Sequence, residues 1–144
     1  MTIFSDYNLE DFTPYLLNMA SETTSLAFQQ YYKDGYGMLR TEWRVLFHLG
    51  RYGPQHAKDV CRRARIHKTK VSRAVSALEQ KRYLRRSEEE RDRRHELLKL
   101  TPSGTSVFKD LRSAAQRFDT ELLADFTTSE RAVLQRCLLR LAEL

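Results

Sequence analysis

The stretch IHKTKVSRAVSALEQKRYLRRSEEERDRRHELLKLTPSG, Ile66 to Gly104, changes its period halfway along. In its first part Val71, Ala74, Val75 and Leu78 fall at i, i+3, i+4 and i+7, which is one apolar stripe of a helix. The other side carries Lys68, Thr69, Lys70, Ser72, Arg73 and Ser76. These are short hydrogen-bonding side chains and long cations, the groups that suit base edges and phosphates. After Lys81 the helical period fails. Tyr83–Ser87 and Glu96–Leu100 read as two short strands joined by the charged tip SEEERDRR.

A basic, polar helix face followed by a basic hairpin is the outline of a winged helix-turn-helix. The helix would lie in a major groove and the hairpin, or wing, would reach the adjacent minor groove. Upstream, TEWRVLFHLGRYGP (Thr41–Pro54) supplies the preceding helix and turn. The run DRRHELLKLTPSG, with Asp92, Arg94, Leu100, Thr101 and Gly104, resembles the wing signature of the multiple antibiotic resistance regulator (MarR) family. KTKVSRAVSALEQK resembles its recognition helix. The resemblance covers nearly the whole chain. It implies a mainly α fold with a small β wing, a winged helix-turn-helix core flanked by dimerising N- and C-terminal helices. The whole of 1–144 then forms a single MarR-like domain, with DNA binding in 39–101 and dimerisation in 9–33 and 102–144.

Composition agrees with this outline. The chain has 144 residues, enough for one domain with a real core. Its net charge is +6, and the excess is segregated: Arg51–Lys99 holds sixteen Lys and Arg against seven Asp and Glu, while the rest is net acidic. No run of about 18 apolar residues exists and the N-terminus lacks a leader pattern, so the expected place is the cytoplasm, with no membrane partner. Two cysteines, Cys61 and Cys137, at apolar helical positions, read as packing residues rather than a disulfide framework or redox sensor. The four histidines form no ligand spacing, so neither metal nor cofactor is expected. Nucleotide-binding and hydrolase motifs are absent, which argues against an enzyme.

Taken in order, Thr13-Pro14 reads as a cap and first-turn proline opening a helix to about Lys33, closed by Asp34-Gly35-Tyr36-Gly37. The next helix starts near Leu39 or Arg40 and ends at Tyr52, with Trp43, Leu46, Phe47 and Leu49 inward. His56–Arg65 is a short helix. The family usually has Gly where this chain has Arg82, and a left-handed arginine there would cost roughly 1 kcal/mol. Thr101-Pro102 opens a long helix whose stripe runs to Phe126. Thr127 and Glu130 form a capping box for the last one. The first and last two helices are apolar beyond what a winged core of about 60 residues needs, so a second copy of the chain is the natural partner for them.

The DNA-contact candidates are therefore Lys68, Thr69, Lys70, Ser72, Arg73 and Ser76 on the helix, and Arg85, Arg86, Arg91, Asp92, Arg93 and Arg94 on the wing. By resemblance Arg94 enters the minor groove and Asp92 holds its direction. Glu88, Glu89 and Glu90 oppose this, and leave Leu84–His95 nearly neutral, with five arginines against four acids. The resemblance also implies an effector pocket between the dimerising helices and the core, for a small aromatic or hydrophobic anion. Its candidates are Tyr15, Met19, Trp43, Arg44 and His48. The expected function is a homodimeric repressor that binds pseudo-palindromic double-stranded DNA, with half-sites roughly 34 Å apart, and is released by that effector. The alternative is a winged-helix protein-interaction module without DNA binding, favoured only by the acidic tip and Arg82.

Overall fold

The structure, a computed structural model, describes residues 8–89 and 92–144; the side chains of residues 88, 89 and 92–95 lie outside the described set. A 3-10 turn, Leu9–Asp11, precedes six helices: α1 (Thr13–Tyr36), α2 (Arg40–Tyr52), α3 (Ala57–Ala64), α4 (Lys68–Gln80), α5 (Pro102–Leu122) and α6 (Thr128–Ala142). Three strands, β1 (Gln55–His56), β2 (Leu84–Glu89) and β3 (Asp92–Leu100), form an antiparallel sheet in the order β1-β3-β2. This is the mainly α fold with a small β wing that the sequence implies.

The core is built where the stripes predict it. Val71, Ala74, Val75 and Leu78 of α4 are buried with Val45, Leu46 and Leu49 of α2, Val60 and Ala64 of α3, and Leu84 and Leu98 of the wing base. Trp43 and Phe47, expected inward, are only half-buried, because they belong to an aromatic layer between α2, α1 and α5. In that layer Phe28 lies 5.3 Å from both Trp43 and Phe118, and Tyr32 stacks on Trp43 at 6.0 Å. The Tyr36 hydroxyl donates to Asp110 of α5, which pushes its pKa up to about 12 and ties the end of α1 to α5.

Several boundaries differ from the sequence reading. The cap of α1 is Phe12, with Thr13 already helical, because Pro14 is as well accommodated at the second helical position as at the first. The helix passes through Gly35 and stops at left-handed Gly37, φ 65°. The short helix α3 is one residue shorter at each end than expected: Gln55 and His56 pair with Leu98 and Leu97 to make β1, and Arg65 is left-handed, φ 54°. The strands β2 and β3 are longer toward the tip than expected, with a register irregularity between Glu88 and Glu89. Cys137 is exposed in the protomer rather than packed, and Cys61 is half-buried.

Two junctions set the recognition helix. Arg82 is left-handed, φ 64°. Its N–H donates to the Glu79 carbonyl at 2.9 Å and the next N–H, of Tyr83, to Leu78 at 3.0 Å, so the strained residue closes the end of α4 in the usual glycine-ended pattern. At the other end of the core, Leu39 has no side chain able to cap α2. Glu42 replaces it: one carboxylate oxygen accepts the Leu39 N–H at 2.9 Å and the other accepts Lys81 Nζ at 2.7 Å. Glu42 is only 3% exposed, so its carboxylate is held away from water, and through the half-buried Lys81 it ties the start of α2 to the end of α4.

Candidate nucleic-acid interface

All six helix candidates, Lys68, Thr69, Lys70, Ser72, Arg73 and Ser76, are exposed, while Val71, Ala74, Val75 and Leu78 on the opposite side are buried. From Lys68 to Ser76 the face is therefore polar and cationic, and the exposed acid Glu79 follows it. His67 opens the helix. Its ring Nδ1 accepts the Thr69 N–H at 3.2 Å, a cap the sequence reading missed because histidine is outside the usual set of capping residues. On one flank of α4, Lys70 and Arg73 border a hollow of about 250 Å³ shared with Leu39 and Thr41 of α2. On the other, Lys68 and Ser72 border a cleft of about 420 Å³ with Lys58 and Cys61 of α3, His56, and Arg86, Glu96 and Leu98 of the sheet. Lys58 is thus a further cation beside the recognition helix, invisible to spacing because it comes from another helix.

The wing candidates divide. Arg85 is exposed and, among the described residues, forms no ion pair. Arg86 points the other way, onto α4, and binds Glu79, Glu96 and Ser76. Arg91 lies outside the described residues. Asp92, Arg93 and Arg94 sit on the β3 backbone, with side chains outside the described set.

Of the five effector-pocket candidates the structure brings two together. Trp43 and Arg44 border a cavity of about 280 Å³ between α1, α2 and α5, with Phe28, Tyr32 and Phe118 as aromatic walls and Arg40 as a second cation. Tyr15 and Met19 do not border it. Met19 lies nine residues before Phe28 on the same helix, about 14 Å away along the axis. His48 does not border it either; its ring lies beside Tyr52, with Nδ1 2.7 Å from the Arg44 carbonyl. Burial, and secondarily the neighbouring Arg40, hold the Arg44 pKa below the usual guanidinium value. Its Nη2 donates to the Ala64 carbonyl at 2.5 Å, the last turn of α3 before the recognition helix. Among the described residues neither Arg40 nor Arg44 has a carboxylate within ion-pair distance, although Asp119 also borders the cavity.

The helix-turn-helix and wing occupy the segment that the MarR family model matches, residues 36–95. Over that segment the chain is similar to the MarR family. That family consists of transcriptional regulators. An uncharacterised helix-turn-helix-type transcriptional regulator of Bacillus subtilis, YwoH, is 27% identical over 98 residues, 68% of this chain and 71% of that protein. A MarR/EmrR family transcriptional regulator from Acinetobacter sp. ADP1 superposes with a TM-score of 0.84 at 24% identity, covering 95% of this chain and 96% of that one. BpsR of Bordetella bronchiseptica, whose DNA binding is regulated by 6-hydroxynicotinic acid, superposes at 0.81 with 23% identity, covering 90% and 97%. These likenesses place the MarR-family fold over the full set of helices. Among the described residues no helix is long and apolar enough to cross a membrane, and no cluster of His, Cys, Asp and Glu could hold a metal ion.

Proposed function

We propose that this protein is a homodimeric MarR-type repressor that acts in the cytoplasm, binds a pseudo-palindromic double-stranded DNA site and is released by a small aromatic or hydrophobic anion. The observation that carries the DNA reading is the exposed face of α4: six polar or cationic side chains, no acid among them, presented by a helix whose opposite side is fully buried. Such a helix meets both requirements of major-groove reading, rigidity behind and hydrogen-bonding capacity in front. Thr69 and Arg73 are one turn apart and share a line along that face. Arg85, with Arg91, Asp92, Arg93 and Arg94, forms the wing's contribution.

The test is selection of a bound sequence from a random DNA pool, followed by fluorescence anisotropy. If Thr69 or Arg73 reads a base, its replacement by Ala costs about 1–3 kcal/mol, roughly 5- to 150-fold, and relaxes preference at one position of each half-site. If it holds a phosphate, the replacement weakens all sequences alike. If both variants bind the selected site like wild type, α4 is not the reading helix.

For the effector, the cavity offers what a planar anion needs: aromatic walls on which it stacks, and two guanidiniums free of carboxylate partners among the described residues. Arg44 also holds the Ala64 carbonyl. An anion that draws this guanidinium into the cavity competes with that hydrogen bond at the turn leading into α4, and so favours a different seating of the recognition helix. BpsR's effector makes 6-hydroxynicotinic acid a natural member of a panel of aromatic carboxylates. Trp43 is the chain's one tryptophan and borders the cavity, so its fluorescence reports binding directly. A matching carboxylate is expected to quench or shift it and to weaken DNA binding about tenfold, within the usual range of allosteric coupling. Arg44→Met should abolish that response. If no panel member up to millimolar concentration alters Trp43 fluorescence or DNA affinity, the cavity is only a packing defect.

A further inference from the structure

We infer that Arg86 is a positioning residue, whose guanidinium clamps the wing to the recognition helix instead of contacting the DNA backbone. The inference rests on the DNA-binding reading above. It starts from one side chain whose three nitrogens are each engaged by a different partner. Nε lies 3.3 Å from Glu79 Oε2, Nη1 lies 3.0 Å from Glu96 Oε2, and Nη2 donates to Ser76 Oγ at 3.1 Å. Ser76 and Glu79 are three apart on α4, hence neighbours on one helix face, and Glu96 is on β3. One planar fork therefore joins both elements that the DNA reading requires to act together.

The strand register explains why Arg86 and not Arg85 takes this place. Arg86 pairs with Leu98 and Leu84 with Leu100. Leu84 and Leu98 are buried, so residues 84 and 86 face inward and Arg85 between them faces out. Arg86 sits two residues before the register irregularity at Glu88/Glu89, near the end of the regular ladder on the way to the tip. A clamp there fixes the direction in which the rest of the wing leaves the core.

Charge argues against a phosphate at this position. Two carboxylates surround one guanidinium, so the cluster is net negative, and each of the guanidinium's three nitrogens already faces a protein partner. All three side chains remain partly exposed, at 32% for Arg86, 46% for Glu79 and 42% for Glu96, so the cluster contributes little to global stability. Its effect falls on the simultaneous fit of helix and wing to one DNA site. Non-specific binding, which needs only cations near phosphates, tolerates a loose wing.

The experiment compares wild type, Glu79→Gln, Glu96→Gln, Arg86→Met and Glu79→Gln/Arg86→Met. Each is measured on the sequence selected by the wild type and on a scrambled duplex, at several salt concentrations. The two Gln variants remove negative charge near DNA, so simple electrostatics makes them bind more tightly. The clamp makes them bind the selected site about five- to tenfold more weakly, with little change on the scrambled duplex and an unchanged melting temperature. Arg86→Met should show the same loss of specificity with an unaltered salt slope, and the double variant should be no worse than Arg86→Met alone. Tighter or unchanged binding by both Gln variants overturns the clamp. So does a salt slope reduced by about 1 in Arg86→Met, which marks a released counterion and hence a phosphate contact. A wild type that selects no sequence overturns the DNA-binding reading itself, a result distinct from either.

Discussion

Gly104→Ala is expected to lower the melting temperature by roughly 10 °C. A Cβ at residue 104 would lie 1.9 Å from the Tyr83 carbonyl oxygen and 2.8 Å from its carbon. Neither side can step back. Tyr83 follows the left-handed Arg82, and its carbonyl also accepts the Thr101 N–H at 3.1 Å. The Thr101 hydroxyl donates to the Arg82 carbonyl at 2.7 Å and accepts the Gly104 N–H at 3.0 Å. The start of α5 is thus fastened onto the end of the recognition helix at the one place where a glycine permits contact. Forcing a methyl in costs about 3 kcal/mol, the upper part of the overpacking range, and in a chain of this length each kcal/mol is worth about 3–4 °C. Gly35→Ala is the control. It is helical, and an added Cβ would meet nothing within 4 Å, so it should be neutral or stabilise by about 0.5 kcal/mol. Thermal unfolding followed by circular dichroism separates the two. If Gly104→Ala melts within 2 °C of wild type, the close approach is not a constraint on the fold.

Periodicity made the recognition helix legible: the four-residue stripe of Val71, Ala74, Val75 and Leu78 is the buried side of α4 as observed. Local cap chemistry did the same for Thr101 and for the Thr127–Glu130 box, whose two hydrogen bonds are both formed. Contacts between distant residues were not legible. Glu42 and Lys81 are 39 residues apart, and from the sequence Glu42 is one more acid in the first turn of a helix. The cavity between α1, α2 and α5 draws its walls from three helices, so choosing apolar and basic residues near the expected junction named Trp43 and Arg44, which border it, together with Tyr15, Met19 and His48, which do not. The inward direction of Arg86 lay within reach of the sequence. Alternation from apolar Leu84 assigns residue 86 to the same face, but a basic wing invites every arginine to be read as a DNA contact.

Replacing Leu138 and Leu141 with Asp is expected to halve the particle mass and to weaken binding to the selected DNA site by at least about 100-fold. The helix α6 has no buried residue in the protomer. Val133 is 46% exposed, Leu138 41%, Leu139 42% and Leu141 58%. Leu9, Phe12, Leu16 and Met19 at the other end of the chain, and Leu122 and Phe126 before α6, are also more than 40% exposed. An isolated helix of 15 residues is marginal in water, and so large an apolar surface at the two chain ends needs a cover. On the proposed reading a second copy is that cover, presenting the same faces about a two-fold axis. The two readings of α6 give opposite results. If its face is solvent in the working protein, aspartate there changes stability by no more than about 0.5 kcal/mol and leaves DNA binding alone. If it is an interface, each aspartate is buried without a partner and the dimer separates. The loss in affinity then follows from losing the second half-site, whose capture in the dimer is intramolecular and gains about 10²–10⁴-fold. Deleting Arg131–Leu144 should act in the same direction, with aggregation of the uncovered helices. Light scattering gives the mass, and anisotropy on the selected site gives the affinity. A dimer should also show a melting temperature that rises with protein concentration. A Leu138→Asp/Leu141→Asp protein with wild-type mass and wild-type affinity would mean that the apolar face of α6 is not where two copies meet.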